Sequence, residues 1–136
     1  MKTTRAIIRE TGGPEVIEWI AEDLPPPGPG EVTIAHGAVG LNYIDTYHRR
    51  GIYPVALPSG LGLEAAGRIV AVGDGVDGFA HGDRVATFGP LLGAYATHRT
   101  IGAEHLFRLP DHIDDRTAAA AILKACTVEF LVERCG

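Results

Sequence analysis

Glycine and proline punctuate this chain so densely that few long regular elements fit between them: eighteen glycines and nine prolines fall within 136 residues. Over most of its length the apolar runs are short, β-rich and closed at nearly every corner by one of these two residues. Glycine supplies the positive φ that tight turns need, and proline cannot donate to a ladder. The pattern predicts a mainly β domain whose short strands form a partly open barrel interrupted by short helices. Strands are expected at residues 5–9, 16–21, 31–41, 62–72, 84–88, 94–101 and 105–109. The first two should pair as a hairpin, and the proline-rich stretch 25–30 should form an irregular surface corner.

One glycine cluster imitates a different fold. Gly73-Asp74-Gly75-Val76-Asp77-Gly78 spells G-x-G-x-x-G directly after an expected strand. A dinucleotide cradle requires those glycines to open a helix, with an acid about 20 residues further on for the ribose. Here Phe79-Ala80-His81-Gly82-Asp83 follows instead, with a second Gly-Asp turn and another β-run behind it, and the window near residue 95 reads Gly93-Ala94-Tyr95-Ala96-Thr97. The segment is read as a loop between two antiparallel strands.

Length predicts one domain with room for a sizeable core. The formal net charge is -5, with acids and bases interspersed, which argues against nucleic acid or an anionic membrane as partner and favours a small soluble molecule. Residues 1–5 are followed by only three apolar residues before Arg9, too few for a signal segment, and no apolar run reaches membrane-spanning length. A cytoplasmic location is expected. Cys126 and Cys135 fit neither a zinc pattern nor a disulfide framework and are expected to be reduced.

Two stretches depart from the β pattern. Residues 42–51 read as a short helix, with Asn42 suited to the N-cap, Asp45 to the first turn and Gly51 to the C-cap. Residues 115–136 read as helical and apolar on most sides, a face that normally lies under a cover.

The stretches Gly40 to Pro54 (GLNYIDTYHRRGIYP), Leu57 to Val76, Gly82 to His98 and Ala118 to Glu133 resemble the NADPH:quinone oxidoreductases, which with the zeta-crystallins belong to the medium-chain dehydrogenase/reductase superfamily. The resemblance covers essentially the whole chain. It implies the GroES-like barrel of that family over residues 1–123, with 124–136 beginning the connection to a Rossmann domain that is absent here, so that only the N-terminal portion is represented. It also implies an enzyme that reduces quinones by hydride transfer from NADPH, held mostly by the absent domain.

The same resemblance assigns roles. Asn42, Tyr47 and Tyr53 line the quinone and nicotinamide site, Tyr43 lies beside the nicotinamide, and Lys124 and Thr127 reach the cofactor. Tyrosines at helical spacing serve a core as readily as a site, and residue type alone favours the core. Zinc members of the superfamily carry Cys where this chain has Asn42 and His where it has Leu63, so no metal is expected. His48, three residues after Asp45, could suggest a metal ligand pair, but both are read as surface groups. Glu64 lies in an apolar strand and needs a partner, with nearby Arg68 a candidate; its role is left open between structural and polar site residue. Lys124 and Thr127 are expected at a break before a final helix that Thr127 caps.

Two other readings remain open at this stage: an enone or enoyl reductase of the same superfamily, and a non-catalytic GroES-like assembly module. The uncovered tail is expected to drive self-association into a homo-oligomer, and the chain alone is expected to lack quinone reductase activity.

Overall fold

A computed structural model describes residues 1–135 of the chain. Eight strands and two helices follow in the order β1 (Lys2–Ile8), β2 (Glu18–Asp23), β3 (Glu31–Gly40), α1 (Tyr43–Arg50), β4 (Ser59–Gly60), β5 (Glu64–Val72), β6 (Arg84–Phe88), β7 (His98–Gly102), β8 (Phe107–Arg108) and α2 (Asp115–Glu129). They form two sheets, a three-stranded one ordered β2-β1-β4 and a five-stranded one ordered β7-β3-β5-β6-β8, joined by an isolated bridge between Arg5 and Ala96. Every pairing is antiparallel, and the barrel is open, as the short punctuated strands predict.

The expected strands are mostly present, with three shifts. Pro14 starts a single 3-10 turn, Pro14–Val16, so the second strand begins at Glu18 rather than at residue 16. Residues 94–97 form a connection rather than a strand: Ala6 N–H donates to the Tyr95 carbonyl, and Thr97 N–H donates to that of Thr4. Ala103–His105 is another 3-10 turn, which leaves β8 only two residues long.

The glycine cluster at 73–82 is the β5–β6 connection. Gly75, Gly78 and Gly82 adopt φ of 72°, 82° and 90°, and Gly73 lies against the Gly28 carbonyl, where a Cβ would collide. Gly73 N–H donates to Glu31 O at 2.8 Å, which folds the loop back on the start of β3. Its glycines serve turns and a close backbone approach, and no helix starts there.

Val32, Ile34, Ile69, Val85, Ile101 and Leu106 form the main core, with Val76 and Phe79 of the loop packed on it. Each such side chain contributes about 1.5–3 kcal/mol of burial. A second cluster consists almost wholly of small residues, Ala66, Ala86, Ala118 and Ala119 with Leu109, and brings α2 directly onto β5 and β6. That close seating decides what meets at the end of β3.

Candidate functional site

β3 runs straight into α1, and Asn42 sits at the junction in the extended conformation of an N-cap. Asn42 holds the expected N-cap position, in a capping box with Asp45 at the third helical position. The cap is supplied by Asp45, whose Oδ2 accepts from Asn42 N–H at 3.0 Å. Tyr95 Oη donates to the same oxygen at 2.5 Å. Asp45 is buried rather than a surface group, because α1 folds its first turn under Tyr95, and its other oxygen has no partner among the described residues. Burial first, and then the hydrogen bond to Asp45 and its charge, push the Tyr95 hydroxyl above the ordinary phenol range.

The Asn42 amide is engaged on both ends beyond the helix as well. Nδ2 donates to Glu64 Oε2 at 2.7 Å, and Oδ1 accepts from Lys124 Nζ at 2.8 Å. Glu64, the first residue of β5, is fully buried. Its Oε1 accepts a backbone N–H from within α2, that of Leu123, at 2.9 Å, and Lys124 Nζ lies 3.5 Å from Oε2. Arg68 is not its partner: that side chain is exposed and donates to the Gly82 carbonyl. Beside the cluster, Gly40 faces the Ala119 carbonyl and the Glu64 carboxylate so closely that any Cβ would overlap both.

The three tyrosines form a continuous edge-to-face chain. Tyr43 and Tyr47 have centroids 5.3 Å apart, and so do Tyr47 and Tyr53. The i, i+4 spacing on α1 brings the first pair together, and Gly51 then turns the chain in a left-handed conformation so that Tyr53 returns. Tyr43 is 72% exposed and Tyr53 47% exposed, so this is an open aromatic surface rather than a core. His48 is not a free surface group: its ring packs on Tyr53 at 5.9 Å, and its Nδ1 is buried.

The structure thus gathers the expected residues into two groups on either side of the start of α1: Tyr43, Tyr47 and Tyr53 in one, Asn42, Glu64 and Lys124 in the other. Thr127 joins neither. α2 passes unbroken through residues 124–127, so Thr127 caps no helix; its hydroxyl donates to the Leu123 carbonyl at 2.9 Å. A π-helical turn, Phe130–Arg134, follows. Asp114 caps α2 instead, accepting from Thr117 N–H.

The Asp45–Tyr95 pair escaped the sequence reading, because a contact between residues fifty positions apart leaves no local pattern. His36 on β3 was missed as well. Its Nδ1 bonds the Ala96 carbonyl at 2.8 Å, its Nε2 has no partner among the described residues, and burial lowers its pKa to about 4. Where the sequence comparison expects zinc ligands in other members, the Asn42 amide is bound on both ends and Leu63 is a buried apolar side chain; no cluster of three ligating residues occurs among the described residues.

Residues 28–111 match the alcohol dehydrogenase GroES-like domain family. A quinone oxidoreductase of Pseudomonas aeruginosa is 48% identical over 124 residues, which cover 90% of this chain and 38% of that protein. A 2-haloacrylate reductase of Burkholderia is 39% identical over 95% of this chain and 40% of its own length. Among solved structures, Escherichia coli quinone oxidoreductase complexed with NADPH superposes with a TM-score of 0.94 at 41% identity, covering 97% of this chain and 41% of that one. The chain spans about two fifths of the length of the curated relatives it matches.

Proposed function

The chain belongs to the alcohol dehydrogenase GroES-like domain family, and from that premise we propose that it is the substrate-side part of a zinc-independent, NADPH-dependent quinone oxidoreductase. The observation that carries the reading is the 48% identity to a quinone oxidoreductase across nine tenths of this chain. Residues 1–123 form the substrate-side domain in this reading, and 124–136 begin the connection to a cofactor-binding part. The whole protein acts in the cytoplasm. Among the described residues no helix is long and apolar enough to cross a membrane.

The groups present suit the cofactor. Tyr43 offers an exposed aromatic ring to a flat nicotinamide, and Lys124, about half exposed, is a cation within reach of a nucleotide. Thr127, exposed one turn beyond Lys124 on α2 though joined to neither group, is the third cofactor contact in this reading. When bound, NADPH supplies the hydride. The chain's own part is to hold an electrophilic ring against the tyrosine surface and stabilise charge developing on its oxygen. Tyr47 and Tyr53 do this with neutral phenol donors, and Asn42 with the Nδ2 proton not used by Glu64. A quinone needs no metal to polarise it, which agrees with a donor set that does not fit zinc.

In the full-length protein, Tyr47→Phe keeps the ring and removes the hydroxyl. Turnover of NADPH with a small quinone should fall by about tenfold or more, the size of a lost transition-state donor, while the Tm holds. Unchanged turnover with a lowered Tm would return Tyr47 to a packing role. The Burkholderia relative supports one second reading, an activated alkene as acceptor; comparing kcat/KM for a quinone and a halogenated acrylate decides between them. In the 136-residue chain by itself, the exposed Val128, Phe130, Leu131 and Val132 also support self-association through the tail, which solution mass tests.

A further inference from the structure

We propose that Glu64 is a positioning residue for this site, fixing which end of the Asn42 amide faces Lys124 and thereby where the Lys124 ammonium stands. The inference deepens the quinone oxidoreductase reading and rests on it for the reaction, though not for the geometry. An ionised carboxylate only accepts hydrogen bonds and an ammonium only donates them. Asn42 lies between one of each, with Glu64 at 2.7 Å and Lys124 at 2.8 Å. The amide has one orientation that satisfies both: Nδ2 toward Glu64, Oδ1 toward Lys124.

Glu64 can impose this order because it is itself immobile. It is completely buried at the start of β5, its Oε1 is held by Leu123 N–H of α2, and Gly40 leaves no space beside it. Lys124 is held less firmly, by Asn42 Oδ1, by Ala120 O at 3.3 Å and by Glu64 at 3.5 Å, and it reaches the solvent side. The order of command therefore runs from the buried acid through the amide to the half-exposed cation. Charge complementarity makes Glu64 the keeper of a neutral pair whose positive end faces the open surface. The second Nδ2 proton of Asn42 and the ammonium are then presented together to whatever binds there.

Glu64→Gln tests this with little change of shape. The carbonyl oxygen of the introduced amide can still accept from Leu123 N–H, but its nitrogen then opposes Asn42 Nδ2. Two donors cannot share that contact, so the Asn42 amide turns over, and its nitrogen displaces Lys124. The chain contains two lysines, Lys2 and Lys124, and Lys2 is exposed, which gives an internal reference. Wild type and variant are treated with an acetylating N-hydroxysuccinimide ester, and acetylation is read by peptide mass spectrometry. The Lys124-to-Lys2 ratio should rise about tenfold in Glu64→Gln, the low end of what one lost charge-assisted hydrogen bond is worth.

An unchanged ratio in a folded variant overturns the proposal. Should Glu64→Gln not fold, the Asn42 side-chain amide of the wild-type chain is observed by NMR: one Nδ2 proton shifted well downfield of the other supports the carboxylate bond, and two protons at free-amide positions overturn it. In the full-length enzyme, Glu64→Gln should lower kcat more than it changes KM, and a pure folding defect would lower the active fraction with kcat per folded enzyme intact. A wild type with no quinone turnover alongside the expected acetylation ratio would sink the reaction reading while leaving the positioning geometry standing.

Discussion

Asn42 lies between two buried acids that are solved in opposite ways. Glu64 uses both oxygens, draws donors from the β3–α1 junction and from α2 about sixty residues away, and has an ammonium among its partners. Asp45 uses one oxygen for two neutral donors, Asn42 N–H and the Tyr95 hydroxyl, and leaves the other without a partner among the described residues. A buried charge normally demands a cation. Asp45 has the first turn of α1 in its place, where the unpaired N–H groups and the helix dipole favour negative charge. One acid is a long-range pin that joins helix to barrel; the other is a local cap that borrows a phenol. Burial alone says little about what a carboxylate holds together, and the sequence distance to its donors says a great deal.

The sharpest way to break this contrast is to remove each acid. Glu64→Ala frees the Asn42 amide, strands Leu123 N–H and loosens α2, so it should destabilise the chain by about 3 kcal/mol. Asp45→Ala should cost about 1–2 kcal/mol, the value of a lost cap plus an unsatisfied hydroxyl. Chemical denaturation of both variants measures the order, and a larger loss at Asp45 would reverse the assignment of pin and cap.

A second experiment keeps the acids from being blamed for an effect that belongs to His36. Its folded-state pKa is about 4 because burial disfavours the imidazolium. The unfolded chain binds that proton near pH 6.5 and the native state does not, so stability is fully present above about pH 6.5 and falls as the pH drops toward 4. The loss should be on the order of 2 kcal/mol, and His36→Gln should flatten the limb in a pH series of melts. A limb that persists in that variant would point back to the carboxylates.

The smallest effect is expected at Tyr95→Phe, about 1 kcal/mol at neutral pH, since Asp45 keeps its bond to Asn42 N–H. Here the folded-state pKa is raised, so the native state keeps a proton that the unfolded chain releases near pH 10. Stability is intact below that point and declines as the pH rises past it. The phenylalanine variant should lose this alkaline decline, followed by melting at about pH 9 and about pH 11.

Where the sequence was readable, the cause was local. β6 was legible residue for residue because the short run Arg84–Phe88 is closed by a Gly-Asp turn before it and Gly89 after it, and α1 was legible because Asn42 and Gly51 mark its ends. The glycine cluster at 73–82 could be dismissed as a cradle because a second turn and a β-run follow it. The failures share a different cause. Val16 falls in a strand pattern that Pro14 diverts into a 3-10 turn. Arg68 stands near Glu64 in the chain, but four residues of extended strand separate their backbones by about 13 Å, and the guanidinium turns to the β5–β6 loop instead. Thr127 looked like a cap where α2 simply continues. The partners that matter for Glu64 and Asp45, namely Lys124 and Tyr95, come from distant elements, and only the closed fold brings them in.

β3 is paired along much of its length on both flanks, to β5 and to β7, and ends two residues before Asn42. Amide protons in its doubly paired first half, around the buried Val32 and Ile34, should exchange with solvent only when the whole domain opens. Those of the exposed turn Phe130–Arg134 should exchange through local fraying. The site therefore spans a steep gradient in protection, with Asn42 just beyond the strand that holds the slowest segment and Lys124 carried on a helix whose far end is among the fastest. Any ligand or covering domain that slows exchange along 124–134 without changing β3 would be acting on the soft side of the site alone.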